Sequence, residues 1–161
     1  MPWYKPNSSY QLNSLLSKIL VIEDSSTQIA VIKKVVAQYF PGVSVISIHI
    51  KEKMFQEAID RFFDYVKEPG FLAIIDAHMP WIEQEGFDTP GEFFLELCNQ
   101  RKIASILHSS DHEVVDRVKE GGGNTIPKAG FSDREKFVSL LSKFLEPVTK
   151  PMLSDSSKEQ K

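Results

Sequence analysis

Residues 71–80 constrain the fold more than any other stretch of the chain. Five apolar residues, Phe71 to Ile75, run directly into Asp76, and Pro80 ends the stretch. A short uninterrupted apolar run predicts a strand buried on both faces, as in a parallel sheet. Open α/β sheets bind ligands outside the carboxyl ends of their strands. Asp76 is therefore either a nucleophile that accepts a phosphoryl group or a strand-ending carboxylate that caps a turn.

Length and composition are those of one folded domain with short extensions. The chain has 161 residues, of which 42% are hydrophobic, and this is enough for a full core. The net charge of −3 argues against a general binder of nucleic acid or of membrane surfaces. The single cysteine, Cys98, excludes an intrachain disulfide and a cysteine zinc site, and it favours a reducing, cytoplasmic location. We expect neither a signal peptide nor a membrane span.

Strand-like and helix-like segments alternate five times along the chain. The predicted strands are 18–22, 43–48, 71–76, 103–108 and 125–127, and the predicted helices are 27–40, 51–67, 92–100, 112–120 and a last one from the capping box at 132–135 to Pro147. This order predicts an α/β fold with three layers, in which helices cover both faces of a parallel sheet. We predict an N-terminal extension at 1–17, a domain at 18–146 and a flexible tail at 147–161. The segment 81–91 is a long loop to which the sequence gives no role.

The carboxyl ends of the predicted strands carry side chains that can react or bind a metal ion. Glu23, Asp24, Asp76, Ser109 and Lys128 each follow a strand directly, and right-handed crossovers bring all strand ends to one edge of the sheet. Three carboxylates at one place repel one another, and a hard divalent cation relieves that repulsion. Magnesium prefers oxygen ligands.

We predict that Asp24 and Asp76 bind Mg²⁺ directly and that Glu23 binds it through water. The backbone carbonyl of His78 is predicted to complete the ligand set.

The same set of residues suits phosphoryl transfer. An aspartate carboxylate is an established nucleophile towards phosphorus. Mg²⁺ and the Lys128 ammonium would neutralise charge on the transferred group, and the Ser109 hydroxyl would donate a hydrogen bond to it. His78 and Asp111 each stand two positions beyond an active residue, so they are candidates to shield or orient the water that hydrolyses the acyl phosphate. The alternative for His78 is a loop residue that contributes its carbonyl alone.

The chain resembles a response-regulator receiver domain over roughly residues 18–146. The resemblance is carried by Glu23-Asp24 after the first strand, Asp76 in Asp-Ala-His-Met-Pro, Ser109 after the fourth strand and Lys128 after the fifth. It implies a flavodoxin-like sheet with strand order 2-1-3-4-5 and a requirement for magnesium. It also implies that a histidine kinase or phosphotransfer protein donates the phosphoryl group to Asp76. Ser109 would then move inward and shift the surface formed by the fourth helix, fifth strand and fifth helix.

Three features depart from the family pattern. Ala129 follows Lys128 where the family usually has proline, and Thr125 stands where many receivers carry an aromatic switch residue. The short distance in sequence from Ser109 to Lys128 predicts a short fourth helix. These departures keep open a second interpretation, in which the chain is a degenerate receiver that binds proteins without phosphorylation.

Two further interpretations are disfavoured. Aspartyl-phosphate hydrolases of the haloacid-dehalogenase type require a second aspartate two residues after the nucleophile, and here that residue is His78. A flavin phosphate would be repelled by Glu23 and Asp24. We therefore predict no enzyme beyond self-phosphorylation and self-dephosphorylation, and a stand-alone protein whose output is contact with a downstream protein target. Neither nucleic acid nor membrane is an expected partner, and a homodimer is left open.

Overall fold

A five-stranded, all-parallel sheet forms the centre of the molecule. The computed structural model describes residues 16–51, 55–79, 87, 89–127 and 134–145. The strands are β1 (Lys18–Glu23), β2 (Ser44–His49), β3 (Phe71–Asp76), β4 (Ala104–Ser109) and β5 (Asn124–Pro127). Their order is β2-β1-β3-β4-β5, and every neighbouring pair is parallel. The predicted flavodoxin-like order 2-1-3-4-5 is therefore confirmed.

Within the described residues, the helices are α1 (Ser26–Tyr39), α2 (Phe55–Tyr65), α3 (Pro90–Arg101), α4 (His112–Glu120) and α5 (Arg134–Leu141). They cover both faces of the sheet because alternate strand side chains point to opposite faces. On β3, Ala73 and Ile75 pack in a cluster with α2, α3 and α4, whereas Leu72 and Ile74 pack in a cluster with α1 and α5. All six residues of β3 are buried, as its unbroken apolar run predicts.

The start of α3 corrects the predicted boundary at residue 92. The helix begins at Pro90, and Thr89 is its N-cap, whose hydroxyl oxygen accepts a hydrogen bond from the Glu92 N–H. Proline suits the first helical position because the N–H that it lacks has no partner there. The capping pattern Thr-x-x-Glu at 89–92 is the sequence signal of this start. The other described strand and helix starts lie within one residue of their predictions, apart from those of α2 and α5.

The end of α5 is a second correction. We predicted a helix up to Pro147, but regular α-helix stops at Leu141, and a tighter turn carries Phe144 and Leu145 into the core. The chain then pairs with the segment before β1: the Leu16 N–H donates to the Phe144 carbonyl over 2.8 Å, and Leu16 and Leu145 form an isolated parallel bridge. This pairing requires extended backbone, so the helix ends early.

Several predictions fall on residues outside the described ranges. They are the N-terminal extension up to residue 15, most of the loop 81–91, the capping-box residue Ser132 and the C-terminal tail. Among the helices of the described part of the chain, none has both the length and the apolar character that crossing a membrane requires.

Candidate functional site

Three carboxylates meet at the carboxyl edge of the sheet. Glu23 and Asp76 are the last residues of the neighbouring strands β1 and β3, and Asp24 follows Glu23. One carboxylate oxygen from each residue lies within 4.8 Å of those of the other two. Glu23 is 1% exposed and Asp76 is 4% exposed, whereas Asp24 faces solvent. The topology thus brings together the three acidic residues that we selected from the sequence.

The turn between β1 and α1 is held by its own side chains. The Ser25 N–H donates to Glu23 Oε2 over 3.3 Å, and Ser25 Oγ accepts a hydrogen bond from the Gln28 N–H as the N-cap of α1. On the other side, His49 Nε2 lies 3.1 Å from the Asp24 carbonyl oxygen. His49 is partly buried and supports this turn. These contacts fix the backbone that carries the first two carboxylates.

The turn between β4 and α4 places Ser109 and Asp111. Ser109 is 1% exposed, and its Oγ accepts a hydrogen bond from the Asp111 N–H over 3.0 Å. Asp111 is the N-cap of α4, because its Oδ1 accepts hydrogen bonds from the N–H groups of Glu113 and Val114. The nine residues of α4 agree with the short fourth helix that we predicted. Ser109 is therefore linked directly to the first turn of α4.

His78 and Asp111 form a contact between two loops of the site. His78 Nε2 lies 2.6 Å from Asp111 Oδ2, with the His78 side chain 59% exposed and that of Asp111 31% exposed. The hydrogen bond from the His78 ring, together with those from the backbone of Val114 and Glu113, holds the pKa of the Asp111 carboxyl below its usual value. The two candidate modulating residues thus touch each other. The side chain of His78 has a partner of its own, beyond any role of its carbonyl.

The first turn of α3 packs directly on the backbone at Asp76. The Gly91 N–H donates to the Ala77 carbonyl over 3.0 Å, and a Cβ at position 91 would lie 2.5 Å from the Asp76 carbonyl oxygen. Glu92, which follows, is 1% exposed and forms an ion pair with Arg117 of α4. Sequence reasoning missed all three residues, Gly91, Glu92 and Arg117. The capping pattern at 89–92 pointed to Glu92, but nothing local pointed to Arg117.

The remaining candidates divide into described and undescribed residues. Lys128 and Ala129 lie outside the described ranges, so the prediction for this pair stays a prediction. Thr125 lies on β5 opposite Leu107 of β4 and is partly buried. His108 is completely buried, with the centre of its ring 6.1 Å from that of Phe137.

Cys98 is also completely buried, and burial raises the pKa of its thiol.

Comparison with known proteins supports the fold and no more. No family model matches the chain, and no curated protein matches it either. Two structures of the RcsB response regulator from Salmonella typhimurium, both described in terms of conformational dynamism for DNA interaction, align with a TM-score of 0.58 and 16% identity. They cover 81% and 88% of this chain, which itself spans only 60% and 66% of those chains. A response regulator from Colwellia psychrerythraea aligns over 80% of this chain and 95% of its own, with 15% identity and a TM-score of 0.47.

The fold is therefore one that is also found in the RcsB response regulator, and the predicted flavodoxin-like architecture is confirmed. In this fold the acidic cluster occupies the carboxyl edge of the central strands, which is where open α/β sheets bind ligands. The cluster is compatible with a Mg²⁺ site, because its donors are all carboxylate oxygens.

Proposed function

We propose that this chain is a phospho-accepting receiver of a two-component relay. Asp76 would accept a phosphoryl group from a histidine kinase or a phosphotransfer protein, and the output would be contact with a downstream protein. The observation that carries the proposal is the meeting of Glu23, Asp24 and Asp76 within 4.8 Å at the carboxyl edge of a receiver-type sheet. The domain limits 18–146 belong to the same proposal.

The spacing of the three carboxylates suits one Mg²⁺ ion. Magnesium–oxygen distances are about 2.0–2.1 Å, so ligands on opposite sides of the ion lie about 4.2 Å apart. The three carboxylate oxygens all lie within 4.8 Å of one another, so they are close enough together to surround one ion. We assign direct binding to Asp24 and Asp76, water-mediated binding to Glu23 and a backbone ligand to the His78 carbonyl. When bound, the ion would neutralise negative charge on the transferred group.

The transfer itself needs only one nucleophile. A carboxylate oxygen of Asp76 forms a bond to phosphorus while the bond from phosphorus to the donor nitrogen or oxygen breaks, and the donor leaves with the electron pair. Asp76 is only 4% exposed, so its carboxylate is largely buried among its neighbours. The Lys128 ammonium is the proposed second source of positive charge. His78 and Asp111, which are in contact, are proposed to control how water reaches the phosphoryl group.

Ser109 provides a route from the phosphoryl group to a protein-binding surface. Its hydroxyl is the proposed hydrogen-bond donor to the phosphoryl group, and its oxygen already accepts a hydrogen bond from the N–H of Asp111, the N-cap of α4. A movement of Ser109 towards Asp76 would strain this bond and displace the start of α4. The start of α4 would then have two positions, and the charge of the phosphoryl group would shift the equilibrium between them. Thr125 on the neighbouring β5 is the proposed, non-aromatic switch residue.

The choice of partner rests on charge. The RcsB structures are described in terms of DNA interaction, but the net charge of −3 on this chain favours protein partners over nucleic acid. We propose a histidine kinase or phosphotransfer protein upstream, a protein target downstream, no membrane partner and a cytoplasmic location. A homodimer remains open as one form of the output.

The test is phosphorylation by a small phosphodonor. The chain is incubated with Mg²⁺ and acetyl phosphate, and its intact mass is measured. We expect a gain of one phosphoryl mass in the native chain and in Asp116→Asn, which changes an exposed aspartate of α4, but no gain in Asp76→Asn or when EDTA removes the metal.

If the folded native chain gains no phosphoryl mass, the proposal of a phospho-accepting receiver is wrong and the second interpretation replaces it. The chain would then be a degenerate receiver that binds proteins without phosphorylation. Thr125 at the usual aromatic position and Ala129 after Lys128 favour that interpretation, because both depart from the family pattern, whereas the intact acidic cluster argues against it.

A further inference from the structure

An ion pair between a buried glutamate and a partly exposed arginine joins helices α3 and α4. Arg117 Nε donates to Glu92 Oε2 over 2.8 Å, and Arg117 Nη2 donates to Glu92 Oε1 over 2.9 Å. The Glu92 side chain is 1% exposed, whereas that of Arg117 is 37% exposed. Two parallel hydrogen bonds from a planar guanidinium fix both distance and orientation, which one lysine ammonium does not do. The pair therefore fixes the separation of the two helices at this point.

Glu92 is also held by its own helix. The Thr89 hydroxyl donates to Glu92 Oε1 over 2.9 Å, and the Glu92 N–H donates to Thr89 Oγ1 over 3.3 Å. A carboxylate in the first turn of a helix is further stabilised by the helix dipole. With Arg117 on one side and Thr89 on the other, Glu92 has little freedom to move without the whole first turn of α3.

That first turn rests on the backbone of the candidate nucleophile. The Gly91 N–H donates to the Ala77 carbonyl, and the Cα of Gly91 lies so close to the Asp76 carbonyl that an added Cβ would be at 2.5 Å. Any movement of Glu92 is therefore passed through Gly91 to the residue that carries the central carboxylate.

The same ion pair reaches the opposite side of the site through α4. Arg117 lies on α4, whose N-cap, Asp111, donates its N–H to Ser109 Oγ and contacts His78. The contacts thus form a ring that runs from the Asp76–Ala77 backbone through α3, the ion pair and α4 to Asp111, and it closes where Asp111 contacts His78.

We infer that Glu92 and Arg117 are positioning residues that set the distance between the Asp76 loop and the Ser109 loop. The inference deepens the proposed function, on which it rests for the role of Asp76, but the coupling of the two loops can be measured without phosphorylation.

The test variant is the neutral pair Glu92→Gln with Arg117→Met. Removing Arg117 alone would leave a buried carboxylate without its cation and is expected to be severely destabilising, so the double variant is the fair comparison. Lys18→Met is the matched ion-pair control, because Lys18 pairs with the 76% exposed Glu68 away from the site. Val35→Ala in α1 controls for a general loss of stability, because it creates a cavity in the core cluster formed with α1 and α5, on the face of the sheet away from α3 and α4.

The first measurement is amide hydrogen exchange, followed by NMR. In the double variant we expect the Gly91 and Val115 amides to exchange at least about tenfold faster, a factor that corresponds to about 1.4 kcal/mol. The Phe40 amide at the end of α1 should change less, because it lies outside the ring. Exchange that accelerates equally at all three amides, or at none, would overturn the inference.

The second measurement is calorimetric titration with Mg²⁺ alone. We expect the dissociation constant to rise several-fold in the double variant and to stay unchanged in Lys18→Met and Val35→Ala. An unchanged constant in a folded double variant would also overturn the inference. If the native chain binds no Mg²⁺ or takes no phosphoryl group, the proposed function fails, whereas the exchange measurement still decides whether the pair couples the two loops.

Discussion

Replacing Gly91 by alanine tests the close approach between α3 and the end of β3. The new Cβ would lie 2.5 Å from the Asp76 carbonyl oxygen and 2.5 Å from the Ala77 Cα, whereas Cβ contacts below 3.0 Å are essentially never observed. Both contacting atoms belong to the backbone, so no side-chain rotation relieves the clash. Either α3 or the end of β3 must retreat by about half an ångström.

The expected loss is about 2 kcal/mol in the free energy of unfolding. Overpacking of a well-packed site costs about 1–3 kcal/mol. The gain in helix propensity from glycine to alanine is at most about 1 kcal/mol, and Gly91 lies in the first turn of α3, where the gain is smaller. For a chain of this length, a net loss of about 2 kcal/mol lowers the melting temperature by about 4–8 °C.

Urea unfolding and Mg²⁺ calorimetry provide the assay. The matched control is Gly42→Ala, because no atom lies within 4 Å of the position that its Cβ would occupy. We expect this control to be neutral or to gain up to about 1 kcal/mol. Mg²⁺ affinity should fall in Gly91→Ala and not in Gly42→Ala, since only the first displaces the backbone of Asp76. Equal unfolding free energies for Gly91→Ala and the native chain would refute the packing argument, and an unchanged Mg²⁺ affinity would refute its link to the site.

Two other predictions concern single residues away from the cluster. Lys102 ends α3 with φ 59° and ψ 43°, a left-handed conformation that costs a non-glycine residue about 1–2 kcal/mol. Lys102→Gly should therefore raise the free energy of unfolding by about 0.5–1 kcal/mol in urea titrations, whereas the matched change Lys119→Gly within α4 should lower it by about 1 kcal/mol; a loss at both positions would contradict the strain. Cys98 is fully buried and burial raises its pKa, so the native thiol should resist iodoacetamide at mildly alkaline pH and react once urea unfolds the chain. Mass spectrometry detects the adduct, and rapid alkylation of the folded chain would contradict the burial.

The sheet could be predicted from sequence because its strands have local sequence signals. The apolar run from Phe71 to Ile75 required burial on both faces, and the strand–helix alternation required parallel strands whose carboxyl ends share one edge. The meeting of Glu23, Asp24 and Asp76 then followed from topology alone, without any knowledge of side-chain packing.

Contacts between distant segments were beyond that reasoning. Glu92 and Arg117 are separated by 25 residues, and their pairing depends on how α3 and α4 pack, which no local pattern encodes. Gly91 was read as part of a loop, since the sequence does not reveal that another backbone lies against it. Two predicted helix boundaries were wrong for opposite reasons. The start of α3 is encoded locally, by the capping pattern at 89–92, and the prediction did not use that pattern. The end of α5 is set by the tertiary pairing of Leu145 with Leu16, which the local helical pattern does not contain.

The pairing of Leu16 with Leu145 brings the two ends of the described fold together, at the edge of the sheet opposite the acidic cluster. A short peptide linker between these positions would close the backbone into a circle. New ends opened at Gly42, in the turn between α1 and β2, would emerge on that same far edge. We therefore expect the fold to accept a circular permutation that changes the order of its segments along the chain and keeps every loop of the acidic cluster intact.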